Sequence, residues 1–179
     1  MAKKEWTLKL RIPAWCENYT VSVNGSKLSA EELTTDDASK GYAGICRRWK
    51  KGDVVTLSLE MRTKLIEANP LVEEARGQVA IQRGPIIYCL ESHDLPQGIH
   101  IDDVAIPYDA QFEAVETVID GARMMQLQTQ ALLRNEASWK GTLYREASKG
   151  RKKVTVKLVP YYAWGNRGKG EMTVWIPAL

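Results

Sequence analysis

The sequence predicts an all-β, antiparallel protein. Three observations carry that expectation: short runs in which apolar and polar residues alternate with period two, turn-forming residues between the runs, and no long helical pattern. A strand projects successive side chains to opposite faces, so period-two alternation gives each run one apolar face to bury. About a dozen such runs, punctuated by turns and with no long helix, indicate an all-β protein.

The first run, residues 7–12, puts Leu8, Leu10 and Ile12 on one face, and Pro13 ends it because proline has no N–H for a ladder. Residues 19–23 alternate and reach Asn24-Gly25. That dipeptide is a hairpin signal, since a type I′ turn needs positive φ at both central residues. Its partner strand starts near Lys27 and Leu28. The polar, acidic stretch 30–39 reads as a loop or a single helical turn. Residues 42–49 read as a strand, 50–53 as a tight turn and 54–61 as the clearest strand of all, with 62–68 continuing or bending it.

Strands at 78–82 and 86–90 are interrupted by Arg83-Gly84-Pro85, where the proline points to a bulge or an edge. Residues 92–98, with His93, Asp94, Pro96 and Gly98, break the pattern and mark a boundary. Beyond it come runs at 101–106 and 112–119, a turn at Asp120-Gly121, and 124–133. That segment also fits a helix, but Gln126, Gln128 and Gln130 alternate with Leu127, Thr129 and Ala131, which favours a strand. A short run at 141–145 precedes the clean alternation of 153–159.

The chain closes on four aromatics and three glycines around one Asn-Arg pair (Tyr161, Tyr162, Trp164, Gly165, Asn166, Arg167, Gly168, Gly170, Trp175) and then a strand-like run. The segment is too aromatic for a frayed tail. It reads as an ordered loop feeding a terminal strand locked into a sheet.

The 179 residues allow one large or two small domains. A hydrophobic content of 44% provides for a buried core and argues against disorder. Six Trp and seven Tyr stand against one Phe. Rings with a polar handle suit rims, interfaces and sugar-stacking surfaces better than deep cores. The net charge of +3 comes from 25 basic and 22 acidic residues mixed along the chain, so no nucleic-acid partner is expected. The densest basic stretch, Lys149, Arg151, Lys152 and Lys153 around Gly150, reads as a solvated hairpin turn. No apolar run approaches a membrane span, so no membrane partner is expected either. Met1 to Trp6 moves straight into a strand pattern, and a longer parent protein is expected.

Cys16, Cys46 and Cys89 make an odd count with no close pair, against a disulfide framework. With only His93 and His100 besides, tetrahedral zinc lacks four ligands at usable spacing. Adjacent acids at Glu73-Glu74 and Asp102-Asp103 do not make a glycosidase pair, which needs carboxyls roughly 5–10 Å apart across a cleft. Ser92-His93-Asp94 lists the letters of a triad, but triads converge in space rather than along three consecutive residues.

Four segments together resemble the C-terminal part of glycoside hydrolase family 127, the β-L-arabinofuranosidase family. They are Leu10-Arg11-Ile12-Pro13-Ala14-Trp15 with Val23-Asn24-Gly25; Gly41-Tyr42 with Arg48-Trp49-Lys50-Lys51-Gly52-Asp53; Gly77-Gln78-Val79-Ala80-Ile81-Gln82-Arg83-Gly84-Pro85 running to Tyr88-Cys89-Leu90-Glu91; and residues 160–176. The resemblance implies an N-terminal (α/α)6 catalytic barrel followed by two jelly-roll-like β-sandwiches, with the last strand returning to the first. On that reading 1–92 form the first sandwich, 93–165 a second, inserted one, and 166–179 the closing strand, with 172–176 beside the early strands.

The chemistry of the family, a zinc-bound cysteine nucleophile with further cysteine and glutamate ligands, belongs to the barrel. This chain has no adjacent cysteine pair and no Glu-x-Cys, so no catalytic residue, metal ligand or cofactor is carried over. Zinc is expected in the missing catalytic domain. The implied partner is that barrel, with oligomerisation through the sandwiches compatible with it. Glycan is the second candidate partner. Tyr161, Tyr162 and Trp164 could stack on a sugar while Asn166 and Arg167 donate hydrogen bonds, or the same rings could fill a domain contact. Arg83 could reach a neighbouring domain or sit solvated on a bulge.

Overall fold

A computed structural model describes residues 5–34, 41–133, 141–144, 146 and 151–179. The described chain is all-β with no helix of 7 or more residues, as the alternation predicts. It divides into two compact units, Met1–Arg62 and Thr63–Leu179.

The first unit holds β1 (Trp6–Arg11), β2 (Tyr19–Val23), β3 (Ser26–Lys27), β4 (Tyr42–Arg47) and β5 (Val55–Leu59). β1 pairs antiparallel with β4, Leu8 opposite Ile45 and Leu10 opposite Ala43. β2 lies between β3 and β5 in a second sheet. Val21, Val23 and Ile45 are buried together with Leu10 and Leu57 against them, so both sheets contribute to one core. The Asn24-Gly25 turn forms as expected: φ is 53° at Asn24 and 82° at Gly25, and Val23 faces Ser26. Its stability is not local alone. The Asn24 amide donates to Asp53 Oδ1 at 2.9 Å, and its carbonyl oxygen accepts the Val54 N–H at 2.8 Å. The hairpin is thus tied to the Lys50–Asp53 turn, and the Asn24 hydrogen bond, seconded by the Lys50 N–H, holds the Asp53 carboxyl below its usual value. The polar stretch after β3 forms a 3-10 turn at Ala30–Glu32.

The second unit holds β6 (Thr63–Glu67), β7 (Gln78–Arg83), β8 (Ile86–Glu91), β9 (Val104–Ala105), β10 (Glu113–Ile119), β11 (Ala122–Leu133), β12 (Lys152–Pro160), β13 (Met172–Thr173) and β14 (Ile176–Pro177). These nine form one curled antiparallel sheet, in the order β10-β11-β12-β8-β7-β14, with β6 on β7, β9 on β11 and β13 on β8. The segment that could have been a helix is the twelve-residue strand β11. Its Leu127, Ala131 and Leu133 enter a core with Val79, Ile81, Tyr88, Leu90, Val156, Leu158 and Ile176. The alternation of 153–159 is visible directly: Val156 and Leu158 are buried, Thr155 and Lys157 exposed.

Several expectations are corrected. The division of the chain falls after Arg62, not at 92–98. Residues 62–68 do not extend β5. They make β6, which pairs with β7 from Thr63–Arg83 to Glu67–Val79. The pattern break at 92–98 is a surface 3-10 turn, Ser92–Asp94, and a loop, while the sheet runs past it because β12 pairs with β8, Leu158 opposite Leu90. Residues expected in a separate, inserted sandwich therefore share one sheet with 63–91. The closing residues return to strands within 1–92, as expected, pairing with β8 (Met172 opposite Glu91) and β7 (Ile176 opposite Val79). Arg83-Gly84-Pro85 differs from expectation too. Arg83 faces Ile86 across a two-residue turn with Gly84 at φ 57°, which suits the first central position of a type II′ hairpin and leaves the proline N out of the ladder. No bulge is involved.

Gly141–Tyr144 contain a turn rather than a strand; Arg145, Lys149, Gly150, residues 35–39 and the first four residues, all named in the sequence expectations, lie outside the described residues.

Candidate functional site

The closing segment is the most organised surface of the second unit. β12 ends at Pro160, a 3-10 turn spans Tyr161–Ala163, and the chain crosses β8 before β13 and β14. Strand alternation decides which face of β8 it meets. Tyr88 and Leu90 enter the core, so Ile87, Cys89 and Glu91 point the other way. Ile87 lines a groove of about 510 Å3 with Tyr161, Met172, Thr173, Val174 and Trp175. Glu91, one of few buried acids, meets the loop at its far end.

A charge cluster fixes that end. The Glu91 carboxylate accepts the Gly165 N–H at 2.9 Å and the Arg167 Nε–H at 3.0 Å, with a further short contact from Arg167 Nη2. Arg167 Nη1 and Nη2 donate to the two Asp94 oxygens at 2.9 and 2.6 Å. Ser92 Oγ accepts the Glu171 N–H, and the Ser92 N–H donates back to Glu171 O. Burial by itself would raise the Glu91 pKa, but the Gly165 N–H and Arg167 outweigh it and hold the carboxyl below its usual value. The hydrogen bond to Asp94, against burial, and then that to Glu91 raise the Arg167 pKa further.

Of the residues singled out from sequence, Tyr161, Tyr162, Trp164, Asn166 and Arg167 share this loop. The three rings are exposed, and Tyr161 and Trp164 lie with centroids 6.4 Å apart, tilted by 32°. Asn166 and Arg167 are turned inward: the Asn166 amide donates to Ala163 O at 3.2 Å, and Arg167 is held as described. Arg83 sits at the β7–β8 hairpin instead, in phase with Ile86 and Ile81, its guanidinium beside the buried Tyr88 hydroxyl. That hydroxyl donates to Met125 O at 3.1 Å. Sequence reasoning missed Glu91 and Asp94. The one signal for Glu91 was an acid ending an apolar run in phase with Ile87 and Cys89, which needs a cation if it is buried.

Two of the three thiols are engaged locally, each by a backbone carbonyl. Cys16 donates to Asn18 O at 3.1 Å and Cys89 to Val159 O at 3.6 Å. Burial, then the Glu91 charge, pushes the Cys89 thiol up to about 12, where it holds its proton at neutral pH. Cys46 is exposed. Among the described residues no three His, Cys, Asp or Glu converge as a metal site requires. Glu73-Glu74 and Asp102-Asp103 lie in separate 3-10 turns.

Residues 63–177 match the family profile described as glycoside hydrolase family 127 C-terminal domain. The chain belongs to glycoside hydrolase family 127. Residues 1–61 match a second profile, described as beta-L-arabinofuranosidase, GH127 middle domain, so the two profiles meet where the family-127 chain divides into its two units. It is 31% identical, over 93% of its length, to a non-reducing end beta-L-arabinofuranosidase of Bifidobacterium longum subsp. longum, but spans 25% of that protein. Among solved structures it resembles a GH127 beta-L-arabinofuranosidase from Geobacillus stearothermophilus T6 (40% identity, TM-score 0.85, 98% of this chain and 27% of that one). It also resembles a chain described as a glycoside hydrolase (45% identity, TM-score 0.84, 97% and 28%). The family-127 chain thus spans about a quarter of the length of the relatives it matches.

Proposed function

We propose that these residues are the non-catalytic β region of a β-L-arabinofuranosidase-like hydrolase, supporting an N-terminal (α/α)6 barrel that carries the zinc and the nucleophile. One observation carries the reading: the two matched profiles are the family's middle and C-terminal domains, while the relatives continue for roughly three times this length elsewhere. The guarded state of Cys89 and the inward commitment of Arg167 support it, because neither group is poised to meet a substrate. The test is turnover of an aryl β-L-arabinofuranoside by the 179-residue chain with added zinc and reductant. The expected result is no release above the blank. Release that disappears on replacing Cys16, Cys46 or Cys89 would put the chemistry in this chain.

A second reading, a module that binds plant-type glycan, is favoured by one observation away from the aromatic loop. A groove of about 420 Å3 is lined by Gln111, Glu113, Gln128, Gln130 and Thr155 around Phe112. Side-chain amides both donate and accept, which suits neutral hydroxyls. Here the cross-strand pairs Glu113–Gln128 and Gln130–Thr155 set them in two rows of one sheet face. Calorimetry with arabino-oligosaccharides decides it. Supporting the region as scaffold, no heat is expected at millimolar sugar; heat abolished by Gln128→Ala with Gln130→Ala establishes the module.

A further inference from the structure

We infer that the aromatic face formed by Tyr161, Tyr162 and Trp164 with the adjoining groove is a docking surface for protein, and that its occupant is the part of a family-127 hydrolase these residues do not contain. The inference rests on the scaffold reading above and names the face that the scaffold uses.

Three features separate a protein occupant from a sugar. The first is the character of the surface. Tyr161, Tyr162 and Trp164 are 47%, 67% and 44% exposed, next to a groove whose walls are Ile87, Met172, Val174 and Trp175. A monomer seldom leaves so many large rings contiguous in water, whereas Tyr and Trp are enriched in the centres of protein interfaces. The second is the fate of the polar groups. Sugar recognition needs directional donors and acceptors beside the ring. In this loop the Asn166 amide is bonded to Ala163 O, and Nε, Nη1 and Nη2 of Arg167 are all directed at Glu91 and Asp94. The third is ring geometry. Tyr161 and Trp164 are tilted against each other rather than laid out as one flat platform. Rings tilted against each other make an uneven surface, which another side-chain surface can interdigitate with.

The cluster beneath explains why the face keeps its shape when uncovered. Glu91 and Asp94 are almost wholly buried, and Arg167 largely so. Buried charge contributes little net stability but fixes geometry, and a loop held before docking loses less entropy on docking. The occupant follows from length: the relatives carry roughly three quarters of their chains outside the matched region, so each holds the partner on the same polypeptide.

The experiment co-expresses this chain, tagged, with the portion of the Geobacillus stearothermophilus relative that it does not match. Co-purification is expected, with slower hydroxyl-radical oxidation of residues 161–164 in the complex than in the chain alone. Replacing Tyr162 and Trp164 by serine should lower recovery of the partner by about tenfold or more, as loss of central interface rings does. Tyr162→Lys should do the same. Val118→Ser, at an exposed position of β10, should leave it unchanged. All these positions are surface ones, and circular dichroism confirms that each variant folds. Co-purification that survives both aromatic variants, or leaves oxidation at 161–164 unaltered, overturns the docking face while the scaffold reading stands. No co-purification by the unaltered chain overturns both.

Discussion

Arg167→Ala should destabilise the Thr63–Leu179 unit by about 3 kcal/mol, because it leaves the buried Glu91 carboxylate without its cation. The burial of the pair sets the pattern across related variants as well as the size. Truncating one partner of a buried pair strands the other, whereas replacing both by apolar groups of similar volume is often close to neutral. Arg167→Met combined with Glu91→Leu and Asp94→Leu should therefore recover most of what Arg167→Ala loses. Urea denaturation of the three proteins measures this, and equal losses for single and triple variants would show that packing, not charge, holds the loop.

The pH dependence follows with a definite sign. The folded-state pKa of Glu91 is below its ordinary value, so its contribution is complete above about pH 4.3, the unfolded reference. It is lost as the pH falls through the lower, folded value. In Arg167→Ala burial prevails and the carboxyl titrates above the reference, so that variant gains relative to the parent on acidification. The stability gap between the two proteins should begin to narrow above about pH 4.3, as the variant's carboxyl protonates, and go on narrowing below it as the parent's does. A gap that stays constant from neutral pH to pH 3 would rule out Glu91 as the group involved.

What the sequence revealed of this region, and what it concealed, divides along the same physical line. Asn24-Gly25 and the alternation of 153–159 are local signals, and each specified its element: a turn with positive φ at both residues, and a strand with Val156 and Leu158 inward. The aromatic loop also announced itself by composition. Arg167 did not announce its role, because its partners lie 76 and 73 residues earlier and nothing local distinguishes a buried arginine from an exposed one. The boundary was misplaced for a related reason. Pro96 and Gly98 break the pattern strongly, yet a pattern break marks a loop and does not say whether the sheet continues on either side of it. The true division, after Arg62, occurs between two strands with only a short connection, and a five-residue ladder with β7 is what assigns β6 to the second unit.

Leu158→Ala should have the other large effect, about 3–4 kcal/mol, within the usual cost of emptying a fully buried leucine site. Its consequence for cooperativity is more telling than its size. Leu158 lies opposite Leu127 of β11 and opposite Leu90 of β8, so three leucines form one row across strands that come before and after the pattern break at 92–98. If those strands belonged to two independently folded sandwiches, loss of Leu158 would loosen the later one and spare the hairpin of β7 and β8. In one continuous sheet the row is shared, and protection should fall together in β7, β8, β11 and β12. Native-state hydrogen exchange distinguishes the outcomes. A uniform drop in opening free energy across those four strands is expected, and a drop confined to β11 and β12 would restore a boundary near residue 92. The same measurement bears on the docking face, since β12 delivers Pro160 and Tyr161 directly into the aromatic loop. Loosening its inner row should raise exchange at 161–167 more than at the Asn24 hairpin, whose side-chain hydrogen bonds are to Asp53 and Val54 of the first unit.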